Sequence, residues 1–306
     1  MAGERVTYYL LPVAAVMLNL GLLPPSILSR VNFMKQRIAL VSDMDGTLLR
    51  DDLTISNRNM DAIRKFVRCG GDFTVASGRA YRGIAAYQEL MQYITLPIVT
   101  CHGACIYDNG AQRYISMRTL PTEIGEDIAY LLQTYPSVGC TIFGNDAVTP
   151  ITVRNNSLIY EVMEKREYIK TQIAPLAQMP TPWTKIFLAS PDQKTISQCK
   201  TWLMEHRQNV DFFFTEGKFI DILAKGSSKG NAIQFIAKQT GISVSRFVGI
   251  GDSANDIPLL NSCGEAYTTA NGISELKEIA SVLEQDNNHD AVASCIETYL
   301  LPKLID

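Results

Sequence analysis

Ile38-Ala39-Leu40-Val41-Ser42-Asp43-Met44-Asp45-Gly46-Thr47-Leu48-Leu49 joins a continuous apolar run to two aspartates and a glycine. Apolar residues without alternation predict a strand buried on both faces, as in a parallel sheet. Side chains two apart on an extended chain point the same way, so Asp43 and Asp45 can turn both carboxylates towards one ligand. Gly46 lets the chain leave sharply, and Thr47 can cap the turn. Close carboxylates repel unless a cation or an unequal pair of proton affinities compensates. An Asp-x-Asp by itself is commonplace in solvated turns, so the weight falls on what accompanies it along the chain.

Two more apolar runs end in the same manner. Phe73-Thr74-Val75-Ala76 gives way to Ser77-Gly78-Arg79, and Phe247-Val248-Gly249-Ile250 to Gly251-Asp252-Ser253-Ala254-Asn255-Asp256. Open parallel sheets bind ligands outside the carboxyl ends of their strands, so two acidic ends and one hydroxyl end predict a shared polar site. Mg2+ takes oxygen ligands, keeps several waters and uses one or two carboxylates. Asp43 and Asp252 can supply those, with a backbone carbonyl near Asp45 as a third ligand. Ser77, with the amides of Gly78 and Arg79 at a strand-to-helix turn, suits an anion. Lys229 falls in the first turn of its helix, where the dipole disfavours a cation; its placement there suggests service to an anion elsewhere. Gly249-x-Gly251-x-x-Ala254 also follows a strand like a dinucleotide fingerprint, but it comes late and Asp252 would repel a pyrophosphate.

At 306 residues the chain is too long for one typical domain. Apolar runs alternate with amphipathic segments at both ends, which predicts an α/β fold: a doubly wound parallel-sheet core of residues 35–118 and 223–306. Residues 119–222 change character, with strands outnumbering helices, and read as an inserted α+β unit. Arg154, Lys185 and Lys218 are cations of that region. The formal net charge of -3, without a basic stripe, argues against nucleic acid as a partner. Seven scattered cysteines with no Cys-x-x-Cys pair point to a reducing compartment, the cytoplasm. Three histidines far apart exclude a His-type zinc signature, so any metal is a hard ion held by oxygen.

With these residues in view, Asp43-Met44-Asp45-Gly46-Thr47-Leu48-Leu49 resembles the first motif of the haloacid dehalogenase superfamily. Ser77-Gly78-Arg79, Lys229-Gly230 and Gly251-Asp252-x-x-Asn255-Asp256 are similar to its second, third and fourth motifs, in the right order. The insertion resembles the large α/β cap of the Cof-type subfamily, as does Ala224-Lys225-Gly226-Ser227-Ser228-Lys229-Gly230. The resemblance runs from about Arg37 to the C-terminus and implies a Mg2+-dependent phosphatase of small phosphorylated metabolites. Asp43 would be the nucleophile and Asp45 the general acid and base. Such work needs the proton affinity of Asp45 raised, which a neighbouring ionised carboxylate can do. Asp43, Asp45 and Asp252 would hold Mg2+; Ser77, Gly78 and Lys229 would bind phosphate; Asn255, Asp256 and His102 would support them. At Cys101-His102-Gly103-Ala104 many Cof-type proteins carry Asn-Gly-Ala, so an imidazole replaces an amide at another strand end. It keeps one hydrogen-bond donor. The same motifs admit a phosphomutase, which returns the phosphoryl group to its substrate, and a metabolite-binding protein without turnover.

Residues 6–28 hold a largely apolar run, Val6 to Leu23 without a charge, ahead of the core. Residues 1–34 thus read as a hydrophobic N-terminal extension: a membrane anchor, an amphipathic appendage, or sequence upstream of a true start at Met34. Pro12, Asn19 and Gly21 weaken a spanning helix.

Overall fold

The computed structural model describes residues 37–144, 150–215 and 217–305. The apolar run at 6–28 and the start at Met34 lie outside the described residues. In chain order the strands are β1 (Ala39–Ser42), β2 (Asp72–Val75), β3 (Ile98–Thr100), β4 (Cys105–Asp108), β5 (Arg113–Met117), β6 (Gly139–Phe143), β7 (Ile151–Arg154), β8 (Lys185–Ala189), β9 (Val210–Thr215), β10 (Phe219–Ala224), β11 (Phe247–Gly251), β12 (Glu265–Thr268) and β13 (Ser281–Val282). The longer helices are α1 (Asn57–Arg68), α2 (Ile124–Thr134), α3 (Gln193–His206) and α4 (Lys229–Thr240), with the shorter α5 at Ile257–Ser262. They belong to two compact units: the described residues of Met1–Thr74 with Ile233–Asp306, and those of Val75–Ala232. Among the described residues no helix is long and apolar enough to cross a membrane.

The first unit carries the sheet β13-β12-β11-β1-β2. β1 pairs parallel with β11, β11 with β12, and β12 with β13. All residues of β1 and β11 are buried, as their unbroken apolar sequence requires. The chain leaves β1 for β2 on one side, and β11 returns on the other, which makes the β1–β11 boundary the topological switch point. α1 begins at Ser56, whose hydroxyl accepts from the Asn59 N–H at 3.0 Å. It ends in a Schellman turn: Gly71 N–H reaches Phe66 O and Gly70 N–H reaches Val67 O, both at 3.0 Å, with Gly70 at φ +93°. Phe66 is fully buried, worth about 2–3 kcal/mol against exposure. α5 lies close on β11 because Gly249 has no side chain; a Cβ there would come within 3.1 Å of Leu260.

The second unit holds the antiparallel sheet β7-β6-β8-β10-β9 and a three-stranded antiparallel sheet, β3-β4-β5. Strand alternation sorts the larger sheet. Ile186 and Leu188 of β8, with Ile220 and Ile222 of β10, pack in one cluster with Leu131 of α2 and Leu203 of α3. Phe187, Ala189 and Phe219 face the other way and join Ile159, Met163 and Ala80. Lys185 and Asp221 share the parity of Phe187 and Phe219, so two charges stand on an otherwise apolar face. The chain is thus an α/β protein with a doubly wound parallel-sheet core and an inserted α+β cap. The apolar run Pro97–Thr100 reads in the sequence as a further strand of the parallel sheet. The strand is present as β3; Val99 forms a parallel bridge with Ala76, and β3 also pairs antiparallel with β4.

Candidate active site

In the first unit, register does the assembling. Ala39 pairs with Phe247 and Ser42 with Ile250, and the Asp43 N–H carries the ladder on to Ile250 O at 2.9 Å. The loops after both strands therefore leave side by side. Carboxylate oxygens of Asp43, Asp252 and Asp256 lie within 4.8 Å of one another. Asp43 and Asp256 are buried and Asp252 is partly so. Thr47 Oγ1 donates to Asp252 Oδ1 at 2.6 Å, which fixes one oxygen of that carboxylate. Asp256 Oδ2 accepts the N–H groups of Asp252 and Ser253, both at 3.1 Å, so Asp256 braces the turn that carries Asp252. Asn255 takes the Ser253 hydroxyl at 3.0 Å. Gly46, at φ +76°, sits where a Cβ would lie 2.5 Å from Asp252 Oδ2, so only glycine makes this turn beside that carboxylate. Its carbonyl is held by Asn271 Nδ2 at 2.8 Å. Asp45 is half-buried on the same turn, bridged to Leu49, and outside the three-carboxylate group.

A divalent cation suits this cluster. Three carboxylates this close, two of them buried, repel one another without compensation. Oxygens on one Mg2+ are at most about 4 Å apart, near the separation bound here, and the donor set is all hard oxygen.

The second unit brings together the other expected residues. Ser77 N–H donates to Val99 O at 2.9 Å, and Ser77 Oγ accepts the Arg79 N–H at 3.2 Å. His102 N–H donates to Ser77 O at 3.0 Å, and Cys101 N–H to Arg79 O at 2.9 Å. Thus the turn after β3 is sewn to the turn after β2. Gly103 packs on Ser228 O so closely that a Cβ would collide with it, which brings the start of α4, and Lys229, to the same turns. Lys229 is fully buried. A buried ammonium is stable only beside negative charge or acceptors.

His102 takes a role that its sequence neighbours do not indicate. It is 4% exposed, at φ +53° and ψ 22°, in the left-handed region. Asn and His are both enriched there, which explains how imidazole stands where an amide is usual. Its Nε2 lies 2.8 Å from Asp221 Oδ2, and its ring stacks on Phe213 at 4.6 Å between centroids. Asp221 Oδ1 lies 2.7 Å from Lys185 Nζ, an ion pair whose angle falls short of an aligned hydrogen bond. Lys185 Nζ in turn donates to Gly78 O at 3.0 Å. Burial would raise the Asp221 pKa, but the Lys185 charge and the His102 contact outweigh it and hold the carboxyl below its ordinary range. Burial pulls His102 down, against Asp221, and the charges of Lys185 and Lys229 pull the same way. Lys185 rises, because attraction to Asp221 overcomes its burial. A neutral imidazole facing a carboxylate must carry its proton on Nε2. Asp221 is the member of this network that motif reasoning misses; its signal in the sequence is an acid inside the apolar strand Phe219–Ala224.

Residues 40–296 match the family of haloacid dehalogenase-like hydrolases. The chain is similar to a 5-amino-6-(5-phospho-D-ribitylamino)uracil phosphatase of Bacillus subtilis, at 28% identity over 84% of this chain and 96% of that one. It is also similar to a pyridoxal phosphate phosphatase of Escherichia coli, at 22% identity over 85% and 97%. Among solved structures, a haloacid dehalogenase-like hydrolase from Bacteroides thetaiotaomicron superposes with a TM-score of 0.77 at 20% identity, covering 85% of this chain and 98% of that one.

Proposed function

The chain belongs to the haloacid dehalogenase-like hydrolases as a phosphoric monoester hydrolase, and we propose that it uses Mg2+ and an aspartyl-phosphate on Asp43. The observation that carries this reading is the group of Asp43, Asp252 and Asp256 at the strand ends flanking the switch point. Asp43, the carbonyl near Asp45 and Asp252 would hold the ion, with Asp256 and Asn255 bracing the turn. Bound there, Mg2+ supplies positive charge against the charge on the transferring phosphoryl group.

Asp43 forms an O–P bond in line as the P–O bond to the leaving alcohol breaks. Asp45 gives the departing oxygen its proton. Water then attacks phosphorus, Asp45 takes the water's proton, and the Asp43–phosphate bond breaks to release inorganic phosphate. Ser77, the Gly78 amide and Lys229 bind the phosphoryl oxygens, with His102 in support. That the two sets of residues serve one phosphoryl group rests on the order of the four motifs. The cap, proposed at 119–222, supplies the contacts that select the substrate. Relatives named for 5-amino-6-(5-phospho-D-ribitylamino)uracil and for pyridoxal phosphate support small phosphorylated metabolites as the class. Free thiols at all seven cysteines support the cytoplasm as the compartment.

The test is phosphate release by the full chain from a panel of sugar phosphates, pyridoxal phosphate, flavin mononucleotide and the ribitylaminouracil phosphate. Each is assayed with Mg2+ and with chelator, beside Asp43→Asn. We expect metal-dependent turnover that drops at least about a thousandfold in the variant. Turnover that survives Asp43→Asn rules out the nucleophile. Isomer formation without free phosphate marks a phosphomutase, and ligand binding without either marks a binding protein.

A further inference from the structure

The buried contacts of the second unit close into a loop around one peptide. Lys185 on β8 and Asp221 on β10 stand on adjacent antiparallel strands, where Leu223 pairs with Lys185 and Asp221 with Phe187. Asp221 holds His102 by Nε2, and the His102 ring covers Gly78 so tightly that a Cβ would come within 2.5 Å of that nitrogen. Lys185 holds the Gly78 carbonyl from its other side. A trans peptide places N–H opposite C=O in one plane. Gripping Gly78 O therefore also aims the Arg79 N–H, and that N–H occupies an acceptor site on Ser77 Oγ at 3.2 Å. With that site taken, the rotation of the Ser77 hydroxyl is restricted and its O–H is directed elsewhere.

We propose that Lys185 and Asp221 are positioning residues for Ser77, acting through the Gly78–Arg79 peptide and so setting the affinity for a phosphate group. The inference rests on the phosphatase reading for Ser77 as a phosphate ligand. It assigns the inserted sheet a task besides substrate selection: two of its strands orient the phosphate-binding turn. Two neighbouring contacts belong to the same arrangement. Glu167 Oε2 accepts the Ala80 N–H at 3.1 Å, and Arg79 donates from its guanidinium to the Arg166 carbonyl, so the turn is held from both sides. Phe143 and Phe187 flank the Lys185 ammonium at 5.3 and 5.6 Å, which keeps it dry and directed.

The experiment measures binding of inorganic phosphate by calorimetry, with kcat and KM for the best substrate of the panel, in the full chain. The variants are Lys185→Met, Ser77→Ala and the two combined. Lys185→Met should weaken phosphate binding and raise KM about tenfold with kcat nearly unchanged, the signature of lost ground-state binding. Ser77→Ala should lose a similar factor, and the combination no more than either alone. Should Lys185→Met fail to fold, Lys185→Met with Asp221→Leu removes both charges and carries the same measurement. A folded variant with unchanged phosphate affinity overturns the proposal, as do losses that simply add. A wild-type chain that binds phosphate, loosened alike by both substitutions, yet releases none from any ester, ends the phosphatase reading and leaves this one standing. A wild-type chain that binds no phosphate ends both.

Discussion

Two charged clusters among the described residues handle buried charge in opposite ways. At the ends of β1 and β11, three carboxylates are gathered into one group and braced by neutral hydrogen-bond donors. In the second unit Lys185 and Asp221 neutralise each other and His102 stays uncharged, so the cluster is complete in itself. The first cluster gathers like charges, which favours a cation between them. The second is built to hold a shape. In the proposed reaction the two would meet different needs: an ion that can come and go, and a binding turn that does not move.

Removing one member from each cluster separates the two cases. The largest effect is expected from Asp252→Asn, which should cut metal-dependent turnover by about a thousandfold or more. Wild-type chain should gain about 2.7 kcal/mol from Mg2+ at a hundred times its Kd; Asp252→Asn should gain almost nothing, as thermal unfolding with and without Mg2+ will show. A variant that Mg2+ still stabilises to the full extent would remove Asp252 from the ion's ligands.

Asp221→Asn comes next. It strands a buried ammonium and should cost about 3–5 kcal/mol in denaturant unfolding, whereas Asp221→Leu with Lys185→Met should cost far less. Equal losses in the single and double variants would break the contrast drawn between the clusters.

The smallest effect is read in pH. His102 has its folded pKa held below the unfolded value of about 6.5. The unfolded chain therefore binds more protons as pH falls below that value, and stability declines, by at most about 1.4 kcal/mol per pH unit for one group. Asp221, also held low, adds a second decline below about pH 4. His102→Asn should flatten the first limb and leave the second. An unchanged slope between pH 6.5 and 5 would assign the titration to another group.

The first cluster is legible in the sequence because its information is local. An apolar strand, a turn glycine and an aspartate beside it are read within a dozen positions, at Asp43 and again at Asp252. The second is not, because His102, Lys185 and Asp221 meet only through strand register over long separations. β7 and the β4–β5 hairpin are hard to read for a related reason: Ile151–Arg154 and Arg113–Met117 are short, partly exposed strands with weak apolar signal. The stretch from Ser157 is also hard to read, because it runs from a short α-turn into a wider π-turn at Glu161–Arg166. His102 stands out in the sequence as a departure from the usual Asn, but only the fold supplies its partner.

The closed contact around Gly78 also constrains how such a chain can change over generations. Losing Asp221 first leaves a buried cation, losing Lys185 first leaves a buried carboxylate, and any side chain at position 78 displaces the imidazole. Each single loss of charge is costly to stability while replacing the pair together is cheap, so positions 185 and 221 should change together, and position 78 should stay glycine for as long as the imidazole covers it.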